Sequence, residues 1–416
     1  MSNYLEPAKC AELPKVEVAT LLGGPIGDIT DYLSFMSVQS SLDDPFMRMH
    51  CTFADDEAIM RNFNINGDKS LIINITAGDG KSISGKFHIN NVKFNTVNGR
   101  KSAGVHLYGM TAEHLNNAVQ KVMESRFLAK EETVVNIIRY VWDTYIRGDI
   151  DYNVSSTPSV KMLLPMQSPM QTIAFLLERC KGVGENMYVL YQKFKGGSPK
   201  FQLDEVSILA KAGPKRTAVM TENAVGEEAH IIDKEYVGGG NSRILDFHQN
   251  SMFDVHSMTQ QGYWTKEYGS VDIITKICDF TKDKSQNLVM GGGPIAPEVA
   301  TVAKKQVGPR ETRTIYDIHN SDTSYFPDPE LKDATLKSKT PASGMLNSRI
   351  DIVTYGFLDC HAGDVLKILY KVNKADPGRE IDRFYTRNHL IHTARHSVST
   401  NGEVYSQFTL LNDTTA

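Results

Sequence analysis

Alternating apolar and polar positions predict strands over residues 33–108. The alternation extends over seven positions at Met47–Phe53, and a shorter one occurs at Met36–Gln39. A period of two places every second side chain on the same face of a strand. Strands with one polar face are typical of antiparallel sheets and barrels. The N-terminal quarter of the chain is therefore predicted to be a β-domain.

A series of turns and apolar runs occurs twice, at opposite ends of the chain. Each copy has a Gly-Asp turn, two apolar runs, an Asn-Gly turn and a closing run. The first copy consists of Gly67-Asp68, Leu71–Ile75, Phe87–Val92, Asn98-Gly99 and Val105–Tyr108. The second consists of Gly363-Asp364, Val365–Leu369, Leu390–Arg395, Asn401-Gly402 and Val404–Leu410. Asn-Gly between such runs favours a type I′ hairpin, which needs positive φ at both central residues. The pattern predicts a duplicated β-domain; chance recurrence of turns in a β-rich chain is the alternative.

A duplication makes three further predictions. The two Asn-Gly hairpins should occupy equivalent corners. The separation between the two turns is 31 residues in the first copy and 38 in the second, and the extra residues should lie around Asp376–Arg379, where Pro and Gly indicate a tolerant turn. Ile89 and Phe408 should both be buried, because a slip of one residue would turn either of them to solvent.

After Gly109 the hydrophobic period changes to 3.6, which predicts helices. Thr111 is predicted to cap a helix with the stripe Leu115, Val119, Val122, Met123 and Phe127. A second stripe comprises Val134, Ile138, Val141, Trp142 and Tyr145. Ser168-Pro169-Met170-Gln171 combines a Ser N-cap, Pro at N1 and Gln at the capping-box position, so a third helix is predicted there. It should end at Gly182 and Gly184, and Met187–Tyr191 should then pair with Phe201–Leu203.

Strand patterns return between Tyr236 and Phe280, at Ile244–Phe247, Met252–Val255 and Val271–Ile274. They predict the opening of the second β-domain. Residues 281–344 are rich in Pro, Gly and charged residues and contain few apolar anchors. A loop of this length is usually functional or disordered, so we expect an excursion that packs against a neighbouring domain or subunit.

Composition narrows the class of protein. A chain of 416 residues and 46.3 kDa is expected to form two to four domains. Its 41% apolar and 23% charged residues are ordinary for a globular protein, and a net charge of −4 gives no basis for binding nucleic acid. We find neither a secretion signal nor a run of about 18 apolar residues, so we expect a cytoplasmic protein or part of a particle assembled there.

Candidate chemistry is sparse. The five cysteines are scattered without a C-x-x-C pair, and Cys360 and His361 would point to opposite faces of a strand. His389, His392 and His396 are the only metal-like cluster, but His392 and His396 would lie two pleats apart, so structural roles are favoured.

Two glycine-rich segments and two acidic pairs give no further site. Gly238–Arg243 lacks the Lys and Ser/Thr of a phosphate loop, and Gly182-Val183-Gly184 lacks a third glycine. Asp43-Asp44 and Asp55-Asp56 are expected at solvated turns. We predict no enzyme activity and no catalytic, cofactor or metal site.

The order of these segments resembles the central baseplate hub protein of contractile-tailed bacteriophages, which includes the phage late-control protein D family and is similar to the hub part of type VI secretion spike proteins. No single motif is diagnostic, and the resemblance rests on the order of the parts. They are Ser40–Met47, Cys51–Asp55, Phe87–Ile89, Gly104–Tyr108, Thr111–Val122, Pro169–Leu176, Tyr188–Tyr191, Lys200–Leu203, Leu390–His396 and Tyr405–Leu411.

The resemblance implies a mainly β (α+β) protein in which two tail-tube-like antiparallel β-barrels are joined by a mixed helical and β-hairpin domain. The expected boundaries are 15–110 for the first barrel, 111–215 for the middle domain, 229–280 with 345–411 for the second barrel, and 281–344 for a loop-rich insertion. Three subunits would form a pseudo-sixfold ring that adapts a threefold central spike to the sixfold tail tube.

The resemblance also implies partners and a location. We expect a homotrimer that binds the spike and the tail tube or tube-initiator protein, with baseplate wedge and tape-measure proteins as further candidates. No nucleic-acid sequence recognition, membrane anchor or cofactor is expected. The expected location is the tail baseplate of a virion assembled in the host cytoplasm. Two alternatives remain: a distal tail or tube protein, which needs only one barrel, and a tail-associated cell-wall hydrolase, for which no carboxylate pair stands out.

Overall fold

The fold is described by a computed structural model, in which most of the described residues belong to β-strands. The described residues are 14–21, 23–54, 59–77, 80–97, 100–124, 127, 132–154, 157, 159–160, 162–178, 180, 187–221, 242–251, 266–272, 278–283, 293–294, 314–319, 348–371, 385–399, 401–412 and 414–415.

Seven strands form the N-terminal β-domain. They are β1 (Lys15–Thr20), β2 (Pro25–Asp28), β3 (Leu33–Ser41), β4 (Arg48–Phe53), β5 (Lys69–Thr76), β6 (Ser82–Val97) and β7 (Arg100–Thr111), with a 3-10 turn at Thr30–Tyr32 and the short helix α1 (Ile59–Asn62) between them. All neighbouring strands are antiparallel in the order β2-β1-β5-β6-β7-β4-β3. The predicted alternation is confirmed: Met49, Cys51 and Phe53 point into the core, where Ile89 is also buried.

The middle of the chain combines helices with short strands. These elements are α2 (Glu113–Val119), β8 (Val122–Glu124), β9 (Glu132–Thr133), α3 (Val134–Val141), β10 (Ile150–Asn153), β11 (Ser159–Val160), β12 (Leu164–Gln167), α4 (Pro169–Leu177), β13 (Tyr188–Lys195), β14 (Ser198–Glu205) and α5 (Val206–Ala210). A π-helical turn at Trp142–Ile146 extends α3. The predicted capping box at Ser168 and Gln171 is present, and β13 pairs with β14 as predicted. The π turn and β14 contribute Trp142 and Phe201 to one core, with ring centroids 4.6 Å apart.

The first predicted helix is wrong beyond Val119. The chain leaves the helix there, and Val122 becomes part of β8, which pairs with Gln167 of β12. Strand pairing buries Val122 fully but leaves Val119 and Met123 exposed. Pairing with β12 therefore overrides the local helical period. That period had predicted that Val119, Val122 and Met123 share one buried stripe.

The remaining strands follow α5. They are β15 (Arg216–Thr221), β16 (Ser242–Ser251), β17 (Lys266–Asp272), β18 (Cys278–Asp283), β19 (Gly293–Pro294), β20 (Thr314–His319), β21 (Ser348–Tyr355), β22 (Val365–Lys371), β23 (Arg387–Ser399), β24 (Val404–Asn412) and β25 (Thr414–Thr415). Six of them close into a barrel in the order β15-β22-β23-β24-β21-β16 and back to β15. Its core contains Phe408, as predicted.

The two barrels share one strand order. Matching β1, β3, β4, β5, β6 and β7 with β15, β16, β21, β22, β23 and β24 gives the same sequence of neighbours in both, with one difference. β15 pairs with β16 and closes the second barrel, whereas within the described residues β1 does not pair with β3. Two β-bulges also recur. Asn90 in β6 and His392 in β23 are skipped in the pairing with the next strand, as are Ser34 in β3 and Leu245 in β16. Because bulges interrupt a ladder at defined positions, they align the copies residue by residue.

The first strand of each copy differs in direction. β1 is antiparallel to β5, whereas β15 is parallel to both β22 and β16, so the second barrel departs from a wholly antiparallel arrangement. The middle domain delivers the chain to the end of the barrel where β22 begins, since the Lys215 amide donates to the Val365 carbonyl at 2.8 Å. Two strands that start at the same end run parallel.

The hairpins occupy the predicted corners. Val97 pairs with Arg100 in the first copy, although Asn98 and Gly99 lie outside the described residues. In the second copy the Ser399 amide bonds to the Glu403 carbonyl, and φ is positive at Gly402 but not at Asn401. The second hairpin thus has a longer loop than a two-residue type I′ turn. The extra length of the second copy lies between β22 and β23, where it was predicted, but residues 372–384 are outside the described part.

The domain boundaries given above stay a prediction, to which the strand pairings add two facts. β15 belongs to the second barrel but falls in none of the expected ranges. β17 and β18 form a separate sheet with β20, a strand within 281–344. Met252–Val255, Gly182 and Gly184 lie outside the described residues.

Candidate assembly interface

The two barrels are joined side by side by a seam, defined here as the antiparallel pairing of β3 with β23. Seven pairs run from Ser41 opposite Thr393 to Phe35 opposite Ser399. β23 reaches past the end of its neighbour β22, so its C-terminal half has an edge available to β3. Val398 and Val404 from the second copy complete the core of the first barrel. The seam therefore makes one continuous sheet from two barrels.

Polar contacts close one end of the seam. The Leu42 amide donates to the His392 carbonyl at 2.9 Å, and the Ser41 and Thr393 hydroxyls lie 3.2 Å apart. His392 Nε2 lies 2.9 Å from Asp43, and this hydrogen bond lowers the pKa of the Asp43 carboxyl. His392 thus fastens one barrel to the other from its bulge position.

A row of aromatic and cationic side chains crosses the seam on the face of the sheet that points away from the cores. The Tyr108 and His50 rings stack with centroids 4.6 Å apart, and Phe35 follows with its centroid 5.7 Å from His50. Lys93 lies 5.3 Å from the Tyr108 ring centroid at one end, and the Arg395 guanidinium lies 5.8 Å from that of Phe35 at the other. Such cation–π contacts stabilise an exposed sheet surface modestly.

The same face becomes acidic on the second barrel. A groove of about 330 Å³ is lined by residues of β16, β21, β23 and β24, including Asp246, His248 and Asp351. Arg395 from the row described above also lines it.

Two buried histidines connect the seam with the middle domain. His396 Nε2 lies 3.4 Å from His361 Nδ1, and His396 Nδ1 lies 2.9 Å from the Ser406 hydroxyl. His361 also packs against the Phe194 ring, with centroids 5.5 Å apart. Burial lowers the pKa of His396 to about 4 and that of His361 well below its ordinary value. Both side chains are therefore neutral at pH 7.

The predicted histidine cluster does not converge. His389 is fully buried in the second barrel, where burial lowers its pKa to about 3 and neither ring nitrogen has a hydrogen-bond partner within the described part of the chain. Counted from the shared bulge, His389 holds the position of Phe87 in the first barrel. Among the described residues, no three His, Cys, Asp or Glu side chains lie close enough to hold a metal ion.

The other candidates also have structural surroundings. Burial raises the pKa of the Cys360 thiol, which disfavours the reactive thiolate. Asp44 pairs with Arg48 at 2.5 Å while Asp43 pairs with His392, so the two carboxylates do not form a dyad. Asp55, Asp56 and residues 182–184 and 238–241 lie outside the described residues.

The middle domain is anchored to both barrels. Gln192, which is buried on β13, accepts hydrogen bonds from the Met47 amide and the Thr111 hydroxyl of the first barrel. Toward the second barrel, Lys193 lies 3.6 Å and Lys215 lies 3.0 Å from Asp364. The middle domain therefore braces the seam. Sequence reasoning missed the seam and the brace, because both join residues far apart in the chain.

Within the described residues, none of the helices is long and apolar enough to cross a membrane.

No protein-family model matches the chain, and no curated protein matches its sequence. Solved structures do match over almost its whole length. A tail protein from Neisseria meningitidis MC58 is 11% identical with a TM-score of 0.56, and the match covers 97% of each chain. The 43 kDa tail protein of prophage MuSo2 from Shewanella oneidensis is 9% identical with a TM-score of 0.51, covering 96% of this chain and 98% of that one. The chain has the fold of these two proteins, which confirms the predicted mainly β fold with tail-protein barrels and, at the level of fold, the resemblance to tail proteins.

Proposed function

We propose that the protein is the structural hub of a phage-type tail baseplate. The observation that carries the proposal is the presence of two barrels of one strand order, fused side by side in a single chain. A chain with two equivalent units can present threefold symmetry to one partner and pseudo-sixfold symmetry to another, if three chains form a ring.

The full-length similarity to two tail proteins supports a tail component. A tube or distal tail protein would need only one barrel, so the fused pair favours the hub over that alternative. A cell-wall hydrolase is not favoured by the surroundings of the candidate residues described above. In this role the protein works by binding and not by catalysis, and it binds the central spike, the tail tube or tube initiator, and wedge and tape-measure proteins. It resides in the tail baseplate of a virion assembled in the host cytoplasm.

The copy number in the tail tests this proposal. Averaged images of tail tips, with this chain carrying a small C-terminal density label, should show three labels around the axis. The tail-tube protein labelled in the same way serves as the control and should show six per ring. Six copies or one copy of this chain at the tip would refute the hub.

A further inference from the structure

The seam within the chain has an unfilled counterpart. β23 continues the ladder past β22 and there receives β3. By the alignment of the bulges, β6 corresponds to β23 and β16 corresponds to β3. The segments that correspond to the two sides of the seam are therefore residues 91–97 of β6 and residues 246–251 of β16.

Each of these segments has a partner on one edge only within the described part of the chain. β6 pairs with β5 up to His88, and from Asn91 onward its partner is β7 alone. β16 pairs with β15 only at Ser242 and Arg243, and its later residues pair with β21 alone. An open edge of this kind is a template for another strand.

Exposure differs at equivalent positions as an unfilled seam requires. His396 is 2% exposed and packs against His361 and Ser406, whereas Phe94, at the corresponding position of β6, is 61% exposed. A large aromatic side chain at an open strand edge is characteristic of a contact surface.

The charges of the two edges are complementary. Within the chain, the Arg395 guanidinium lies over the Phe35 ring at the seam. At the corresponding positions β6 has Lys93 and β16 has Asp246. The cation–π contact within the chain thus corresponds to a cation on one open edge and a carboxylate on the other. Opposite charges favour pairing between the two different edges over pairing between two identical edges.

We propose that β6 of one copy pairs antiparallel with β16 of a second copy, with Phe94 opposite Gln249 and Val97 opposite Asp246. This inference rests on the hub function proposed above and names its self-contact. The register is that of the internal seam, in which His396 lies opposite Val38 and Ser399 opposite Phe35. Because the two edges belong to different barrels of one chain, the contact is head-to-tail, and three such contacts would close the ring of the hub proposed above.

Disulfide trapping tests the register. The full chain carrying Phe94→Cys and Gln249→Cys is oxidised mildly and separated without reductant. The described native cysteines Cys51, Cys180 and Cys360 are buried, and each single variant serves as a control. The out-of-register control is Phe94→Cys with Arg243→Cys, six residues or about 20 Å away along the strand.

We expect reducible dimers and closed trimers from the in-register pair, at least about tenfold more than from the control pair. Equal crosslinking in both pairs, a crosslink within one chain, or no crosslinked product at any protein concentration would overturn the proposed contact. Three copies in the tail without the in-register crosslink would remove this contact and leave the hub proposal intact. An in-register crosslink together with a copy number other than three in the tail would support this contact and refute the hub proposal.

Charge reversal provides a second readout. Lys93→Asp or Asp246→Lys alone should weaken self-association by about tenfold, and the double variant should restore it. Lys211→Asp, an exposed site after α5 with the same change in charge as Lys93→Asp, is the matched control and should leave association unchanged. Failure of the double variant to restore association would argue against the proposed pairing.

Discussion

Acid should destabilise the second barrel through its buried histidines. Burial holds the pKa of His389 at about 3 and that of His396 at about 4, against an ordinary value of 6.5. Because the folded-state values are the lower ones, the unfolded chain takes up protons first as the pH falls. Stability is therefore complete above about pH 6.5 and is lost as the pH decreases from there toward the folded-state values.

The expected loss follows from the pKa differences. Each pH unit below 6.5 costs about 1.4 kcal/mol per histidine, so at pH 5 each of the two contributes about 2 kcal/mol. Urea unfolding at pH 7.5 and pH 5 should show the free energy of unfolding decreasing by at least about 4 kcal/mol, because the buried His361, whose pKa is also lowered, adds to the loss. His389→Phe places the residue of the equivalent first-barrel position in the second core and should reduce this decrease by about 2 kcal/mol.

An exposed histidine gives the matched control. His248→Gln on β16 should leave the whole pH-dependent decrease in place, since this side chain is exposed. The comparison between variants cancels the contribution of the remaining titratable groups. If His389→Phe loses as much stability between pH 7.5 and pH 5 as the unsubstituted protein does, burial of His389 is not the cause.

Three substitutions test other parts of the fold by thermal or urea unfolding. Gly363→Ala should destabilise the protein more than Gly196→Ala. Both residues have positive φ, but only at Gly363 would the new Cβ lie 2.4 Å from the Tyr191 hydroxyl. Equal losses of stability in the two variants would contradict the predicted clash. Gln192→Leu should cost about 1–3 kcal/mol, since it leaves the buried Met47 amide without its side-chain acceptor, and an unchanged urea midpoint would show that water replaces the amide. Ser168→Ala should cost about 1 kcal/mol by removing the helix cap, whereas Ser168→Thr should retain most of it; equal losses would exclude a capping role.

Local patterns predicted those parts of the fold that short-range chemistry determines. The alternation at Met47–Phe53 and the capping box at Ser168 depend on residues close together in the chain, and the structure contains both. The two turn pairs were sufficient to indicate a duplication, because β5-β6-β7 and β22-β23-β24 are local meanders. The helix predicted past Val119 was wrong because its end is decided by pairing with a strand some 40 residues later.

The candidate interface could not be predicted in the same way. No local pattern indicates that Ser41 meets Thr393, 352 residues away, or that β15 runs parallel to its neighbours. His389 gives no sign of burial in its own segment, since a polar residue among Leu and Ile fits either face of a strand. Only the alignment of the copies, with Phe87 at the equivalent position, identifies it as a core residue.

The seam also sets the order in which the protein can be completed during synthesis. Two residues of the first barrel's core, Val398 and Val404, are translated long after its last strand, β7. Until they arrive, the edge of β3 and the apolar side chains beside it have no cover. Such surfaces bind chaperones or aggregate. A chain terminated before Val398 should therefore leave part of its N-terminal core exposed.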